Sequence, residues 1–213
     1  PDKIKDASYP FDQAHADIIL RSSDSVDFRV HKTILWVASS VFRDMLCLPQ
    51  PSQSKDDECR DGLPVVMLEE DAKTLNFILR TIYPVRSPTI GGLDDLYPVF
   101  HTVQKYCFEA FEGFVEEQLN AALQREPISV YAIACQYEFD DIAQRAAEAS
   151  LALPSVTHSQ YLKQISGEQY SRLIQYHRDC VNAVDKVLSS DEWFATCPDI
   201  FFDGSPAAPC STC

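Results

Sequence analysis

Four of the eight cysteines crowd the C-terminal third of this 213-residue chain. Cys210-Ser211-Thr212-Cys213 is a Cys-x-x-Cys, the spacing that lets two thiolates meet one tetrahedral metal ion. Cys197 stands alone upstream of it. His177 and Cys180 are three residues apart, which on a helix puts both on one face. Zinc held by Cys197, Cys210, Cys213 and either Cys180 or His177 is one reading. The other is that His177 and Cys180 belong to a buried stripe and the tail thiols are free. A redox Cys-x-x-Cys wants a strand-to-helix turn in a βαβ unit, and the tail has no such pattern. A zinc- or thiol-dependent enzyme built on these residues would also need a general base beside a Cys, and none stands there in sequence.

Other reactive side chains are isolated. His31 ends an alternating strand on the face opposite Phe28, with neither a nucleophile nor an orienting acid in its motif, so a hydrogen-bonded structural role is expected. Gly91-Gly92 stands alone rather than in a phosphate-cradling loop. Nucleophile-elbow and His-Glu-x-x-His patterns are absent. Catalytic residues are therefore not assigned, and neither an enzyme nor a small-molecule substrate is expected.

The elements that would position these residues are read from periodicity. Ala16–Leu20 reads as a strand, Ser22–Ser25 as a turn, and Val26–His31 alternates with Val26, Phe28 and Val30 on one face, giving a β-hairpin. Ile34, Leu35, Val37 and Ala38 make a short helical stripe. Ser39 or Ser40 would cap a second helix carrying Val41, Phe42, Met45 and Leu46. Residues 49–64 form a Pro- and charge-rich loop, including Lys55–Glu58 and Asp61, whose default reading is a solvated run. Val65–Leu68 is a third strand, too apolar for an uncovered edge. Asp71 opens a helix striped by Leu75, Ile78, Leu79 and Ile82, which Pro84 and Pro88 stop.

From Leu93 onward the pattern is helical. Leu93, Leu96, Phe100, Val103 and Cys107 share one face, and Phe111, Phe114, Val115 and Leu119 another. Pro127 starts a helix. Ile142, Ala143, Ala146 and Ala147 form a small-residue face suited to close packing, and Leu173, His177, Cys180, Val181, Val184 and Leu188 line a long stripe. Cys47, Cys107 and Cys135 fall on apolar faces and are expected buried. The fold class is α+β: a small three-stranded sheet covered by helices, followed by an all-helical extension.

Composition sets the partners. Lys and Arg total 18 against 32 Asp and Glu, a net charge of −14, which argues against nucleic acid and against an anionic membrane surface. No uncharged apolar run approaches the ~20 residues of a membrane helix. The opening Pro-Asp-Lys-Ile-Lys-Asp has no apolar signal core and no initiator Met, as in a fragment or a processed chain. The cysteine content is far below that of a disulfide scaffold, so the expected location is intracellular, cytoplasmic or nuclear.

Phe28-Arg29-Val30-His31-Lys32, followed by Leu35, Ser39 and Phe42, resembles the signature of BTB/POZ domains. Ala16-Asp17-Ile18 is similar to the family's first strand, and Leu79-Arg80-Thr81-Ile82-Tyr83 to its closing helix-and-Tyr element. The resemblance covers residues 10–124, leaving a helical extension at 125–190 and a Cys-containing tail at 191–213. Tyr83-Pro84-Val85, Arg125–Cys135 and Tyr176–Cys180 look most like the BTB proteins of mushroom-type fungi.

The resemblance implies a protein–protein interaction module without catalytic activity: a scaffold or adaptor, self-associating as a homodimer in many members. Asp17 and Lys32 match a charged pair of the family's dimeric pocket, read either as a peptide-binding groove or as a pair fixing hairpin to helix. Trp36 is the candidate interface anchor, its alternative being a core residue. The segment before Ala16 has no apolar stripe for the helix that crosses between protomers in many dimers. A cullin partner is implied by a hydrophobic-x-Glu motif, for which Glu58 offers only an imperfect match with Asp56 in the hydrophobic slot. Recruitment of corepressors as a transcription regulator would need a DNA-binding segment elsewhere.

Overall fold

The computed structural model describes residues 4–48, 59–86, 88–89, 91–156 and 158–189. The chain divides into two compact units, the first ending at Glu126 and the second starting at Pro127.

The first unit is organised on a sheet of β1 (Lys5–Asp6), β2 (Ile18–Arg21), β3 (Val26–Val30), β4 (Cys59–Arg60) and β5 (Leu63–Met67), in the order β1-β3-β2-β5-β4. The β2–β3 hairpin is antiparallel, with Ile18 opposite Val30, Leu20 opposite Phe28 and Arg21 opposite Asp27. β5 runs parallel to β2, and β4 covers its outer edge. The sheet among the described residues thus has five strands rather than the expected three. The two extra strands are two residues each, too short to show any alternation.

Five α-helices and a 3₁₀ turn at Glu109–Phe111 complete the unit among the described residues: α1 (Lys32–Ala38), α2 (Ser40–Cys47), α3 (Ala72–Ile82), α4 (Leu93–Tyr106) and α5 (Phe114–Ala122). Ser39 caps α2, its Oγ accepting the Phe42 N–H at 3.1 Å. Asp71 caps α3 through the Thr74 N–H at 2.7 Å. Each cap satisfies a backbone donor that the first helical turn leaves free.

Because strand side chains alternate, Ile18, Leu20, Phe28 and Val30 share one face. They pack with Leu35 of α1, Phe42 of α2, Leu75, Ile78 and Leu79 of α3, and Val99 of α4. Each such residue, fully buried, contributes on the order of 1.5–3 kcal/mol. Phe11 seals this core from the N-terminal side, its ring edge-on to Tyr83 with centroids 5.3 Å apart.

The opposite face carries charge. Arg21 and Asp27 are both buried, and the guanidinium forks onto the carboxylate with Nε–Oδ1 at 2.5 Å and Nη2–Oδ2 at 3.0 Å. Arg60 of β4 adds a bond to Asp27 at 2.5 Å and one to Asp6 of β1 at 3.1 Å. One ionic chain therefore links four strands. Burial pushes the Asp27 carboxyl up, but the two arginines outweigh it and hold the group below the ordinary carboxylate range.

The second unit contains α6 (Pro127–Gln136), α7 (Asp140–Ser150) and α8 (Gly167–Ser189), with a 3₁₀ turn at Gln160–Gln164. α6 is buried almost all round, from Ile128 to Ala134, and is the centre of this unit. The long stripe expected on α8 is buried only at its start. Leu173 is buried, whereas Val181, Val184 and Leu188 are exposed. Helical spacing reports a shared face but not whether a neighbour extends far enough to cover it.

Candidate interaction surface

α1 is a seven-residue helix held at both ends. Asp17, just before β2, accepts the Lys32 N–H on Oδ1 at 2.7 Å. Tyr83, just past α3, accepts the His31 N–H on its hydroxyl oxygen at 2.8 Å and lies 3.1 Å from the His31 Nδ1. Two donors at the N-terminus of α1 thus find partners on separate elements. Burial raises the Tyr83 hydroxyl above its ordinary pKa, with the His31 N–H opposing and the Asp17 charge reinforcing that shift. The phenol accordingly stays protonated, able to accept from the backbone while carrying a proton of its own.

The C-terminal end turns on Ser39, which is fully buried. This residue closes α1, caps α2 and forms an isolated antiparallel bridge with Phe108, and its hydroxyl donates to the Tyr106 carbonyl. Tyr106 in turn donates to Glu70 at 3.0 Å, and Lys105 bonds both Glu69 and Glu70 at 2.8 Å. Helix α4 is in this way tied to the loop that enters α3.

What this frame presents is apolar. Leu35 points into the core, while Trp36, Val37 and Val41 stand exposed on the outer side of α1 and the start of α2. Trp36 is 44% exposed, so it is a surface residue and the core alternative is overturned. A helix of two turns has one inward stripe, and Leu35 and Ala38 occupy it. The Arg43 guanidinium lies 5.2 Å from the Trp36 ring centre, and its Nε donates to the Trp36 carbonyl at 3.3 Å. The guanidinium thus lies over the indole ring, while Trp36 stays half exposed.

The residues singled out from the sequence fall together here. Phe28, Leu35 and Phe42 are core; His31, Asp17 and Ser39 hold α1; Lys32 contributes its backbone N–H to Asp17. Arg21, Asp27, Phe11, Tyr83 and Arg43 are the supports that periodicity did not mark. The Arg21–Asp27 pair follows from hairpin arithmetic, since Leu20 opposite Phe28 forces Arg21 opposite Asp27.

Of the candidate metal ligands, His177 and Cys180 lie among the described residues. His177 Nε2 lies 2.7 Å from the Ser150 hydroxyl, which also lies 2.6 Å from the Ala147 carbonyl. Cys180 is partly buried one turn further along α8. Cys197, Cys210 and Cys213 lie outside the described residues, as do Asp56 and Glu58. Among the described residues, no group of three metal-binding side chains comes together. Cys47 and Cys107 are exposed, against expectation, and Cys135 is only partly buried. Cys107 ends α4 in the left-handed conformation at φ 51°, which swings it off the helical stripe it continues in sequence. Asp61 pairs with Arg29. No described helix is long and apolar enough to cross a membrane.

A hairpin-based sheet covered by short helices, with one apolar helix face turned outward, defines an α+β domain suited to binding other proteins. The BTB/POZ domain family model matches residues 9–123, more than half of the chain, and the chain belongs to that family. BTB/POZ domains are protein–protein interaction modules rather than enzymes. No curated protein matches the chain.

Proposed function

We propose that this protein is a non-enzymatic scaffold or adaptor that self-associates through the outer face of α1, with Trp36 as the anchor. The observation that carries this reading is the exposed Trp36-Val37-Val41 patch on a helix anchored at its start by the Lys32 N–H on Asp17 and closed at its end by the buried Ser39. A rigid aromatic held against Arg43 loses little entropy on burial, and interface hot spots favour Trp. A stable homodimer would bury an area of ~1,600 Å² around it. Exposed free thiols at Cys47, Cys59 and Cys107 support an intracellular, reducing location. Tyr83-Pro84-Val85 and the helical continuation support kinship with the BTB proteins of mushroom-type fungi.

Light scattering of the purified full chain after size exclusion tests the reading. The expected result is twice the chain mass for wild type and the chain mass for Trp36→Asp, with unchanged circular dichroism. A wild-type monomer, or a folded Trp36→Asp variant that keeps the wild-type mass, would overturn it. The first outcome would direct pull-downs toward a heterotypic partner such as a cullin or a corepressor.

A further inference from the structure

The second unit holds a groove of about 540 Å³ between α6, α7 and α8. Its floor is apolar: Ala143 and Ala147 of α7 and Leu173 of α8 are all buried, and the rings of Tyr131 and Tyr176 line it. The alanine face of α7 splits in two. Ile142 and Ala146 pack inward, while Ala143 and Ala147 are too small to fill the space beside α8. The volume falls in the range of sites that accept a ligand or a partner side chain.

The rim has one dominant sign. Glu138, Asp140 and Glu148 are exposed around the opening, against one lining cation, Arg172, which is itself paired with Glu168 at 3.4 Å. Two further carboxylates, Glu168 and Asp179, edge the adjoining hollow, which shares Arg172 and Tyr176 with the groove. An apolar floor beneath a ring of carboxylates suits a long cationic side chain. Its methylene stem would lie on Ala143, Ala147 and Leu173, and its charged head would reach the rim. Tyrosine faces add to the attraction for a cation.

We infer that this groove is a docking site for a basic amphipathic helix of a partner protein, separate from the outer face of α1. The partner's apolar positions enter between α7 and α8, and its Lys or Arg residues meet Glu138, Asp140 and Glu148. Charge complementarity would speed encounter and select against acidic partners.

The test uses the full chain and a fluorescently labelled helical peptide with Leu on one face and Lys on its flanks, read by anisotropy near physiological salt. Because the whole chain is acidic, the control for non-specific attraction is a variant of equal charge change elsewhere. Glu138→Gln/Asp140→Asn/Glu148→Gln should weaken binding by about tenfold, while Glu109→Gln/Glu112→Gln/Glu116→Gln should leave it within about twofold. Arg172→Gln should tighten it, since a competing cation is removed. Bound peptide should also protect Cys135, which lines the groove, from alkylation while leaving exposed Cys107 reactive. Equal losses in both triple variants, equal binding of a Glu-flanked peptide, or an unprotected Cys135 would each overturn the assignment.

Discussion

Asp17 holds Lys32 by its backbone: the carboxylate accepts the Lys32 N–H at 2.7 Å, and that bond makes no use of the ammonium. The two residues form a cap on α1 rather than an ion pair. Removing either charge should therefore have different consequences. Asp17→Ala should cost about 1 kcal/mol, as the loss of a helix-capping oxygen does. Asp17→Asn should cost less, because the amide oxygen still accepts. Lys32→Met should leave stability within about 0.5 kcal/mol, as for surface substitutions. Urea denaturation of the three variants measures this. A Lys32→Met loss equal to that of Asp17→Ala would restore the ion-pair reading.

The buried fork of Arg21 on Asp27 should set part of the acid stability. Asp27 titrates below the ordinary carboxylate value in the folded chain, so folding favours its ionised form. Its contribution is fully present above the unfolded-state pKa of about 3.9 and is lost as the pH falls through the lower folded value. Asp27→Asn should destabilise the protein at pH 7 by about 3–5 kcal/mol, because Arg21 keeps a buried charge without its carboxylate. The variant should also show a shallower fall in stability below about pH 4. Thermal melts followed by circular dichroism between acidic and neutral pH would show both effects, and a slope matching wild type would assign the acid sensitivity to other carboxylates.

These two relationships were unequally legible in the sequence. The hairpin was plain from the alternation of Val26, Phe28 and Val30, and Ser39 and Asp71 announced the starts of α2 and α3 by residue type. The side chain of Tyr83 capping His31 could not be seen, because 52 positions separate the partners and nothing local encodes their meeting. Strands β1 and β4 were invisible for a different reason: at two residues each, they exist through their neighbours' edges and through Arg60 reaching Asp27 and Asp6. Periodicity also misled where a stripe outran its cover. Val181 continues the spacing of Leu173 on α8 yet stands exposed, and Cys107 continues that of Val103 yet turns outward at the helix end. The groove of the second unit depends on which alanines meet a neighbour, which helical spacing does not report.

Thiol reactivity should follow burial rather than sequence position. Cys47, Cys59 and Cys107 are exposed, while Cys135 is partly enclosed and burial pushes its thiol up, Tyr131 only partly opposing that shift. Since the thiolate is the reactive form, Cys135 should alkylate more slowly than the three exposed thiols in the native chain and at a similar rate in urea. Peptide mapping after a short exposure to iodoacetamide would rank them. Native reactivity of Cys135 equal to that of Cys107 would mean that the groove opens widely in solution.

Ser39 offers the clearest separation of support from contact. Its hydroxyl oxygen accepts the Phe42 N–H while its proton serves the Tyr106 carbonyl, and the residue is fully buried. Alanine would leave both partners unsatisfied, a loss of about 2 kcal/mol. Aspartate would keep the cap but lose the donor and bury a charge, so Ser39→Asp should be worse than Ser39→Ala. Neither change removes a group from the exposed face at Trp36. Ser39→Ala should therefore lower the denaturation midpoint yet keep the wild-type mass in light scattering at temperatures where it stays folded. Trp36→Asp should lose the dimer, and its midpoint should fall only by the concentration-dependent part that association contributes. A Ser39→Ala chain that is folded but monomeric would show that self-association depends on the exact angle between α1 and α2 rather than on the indole alone.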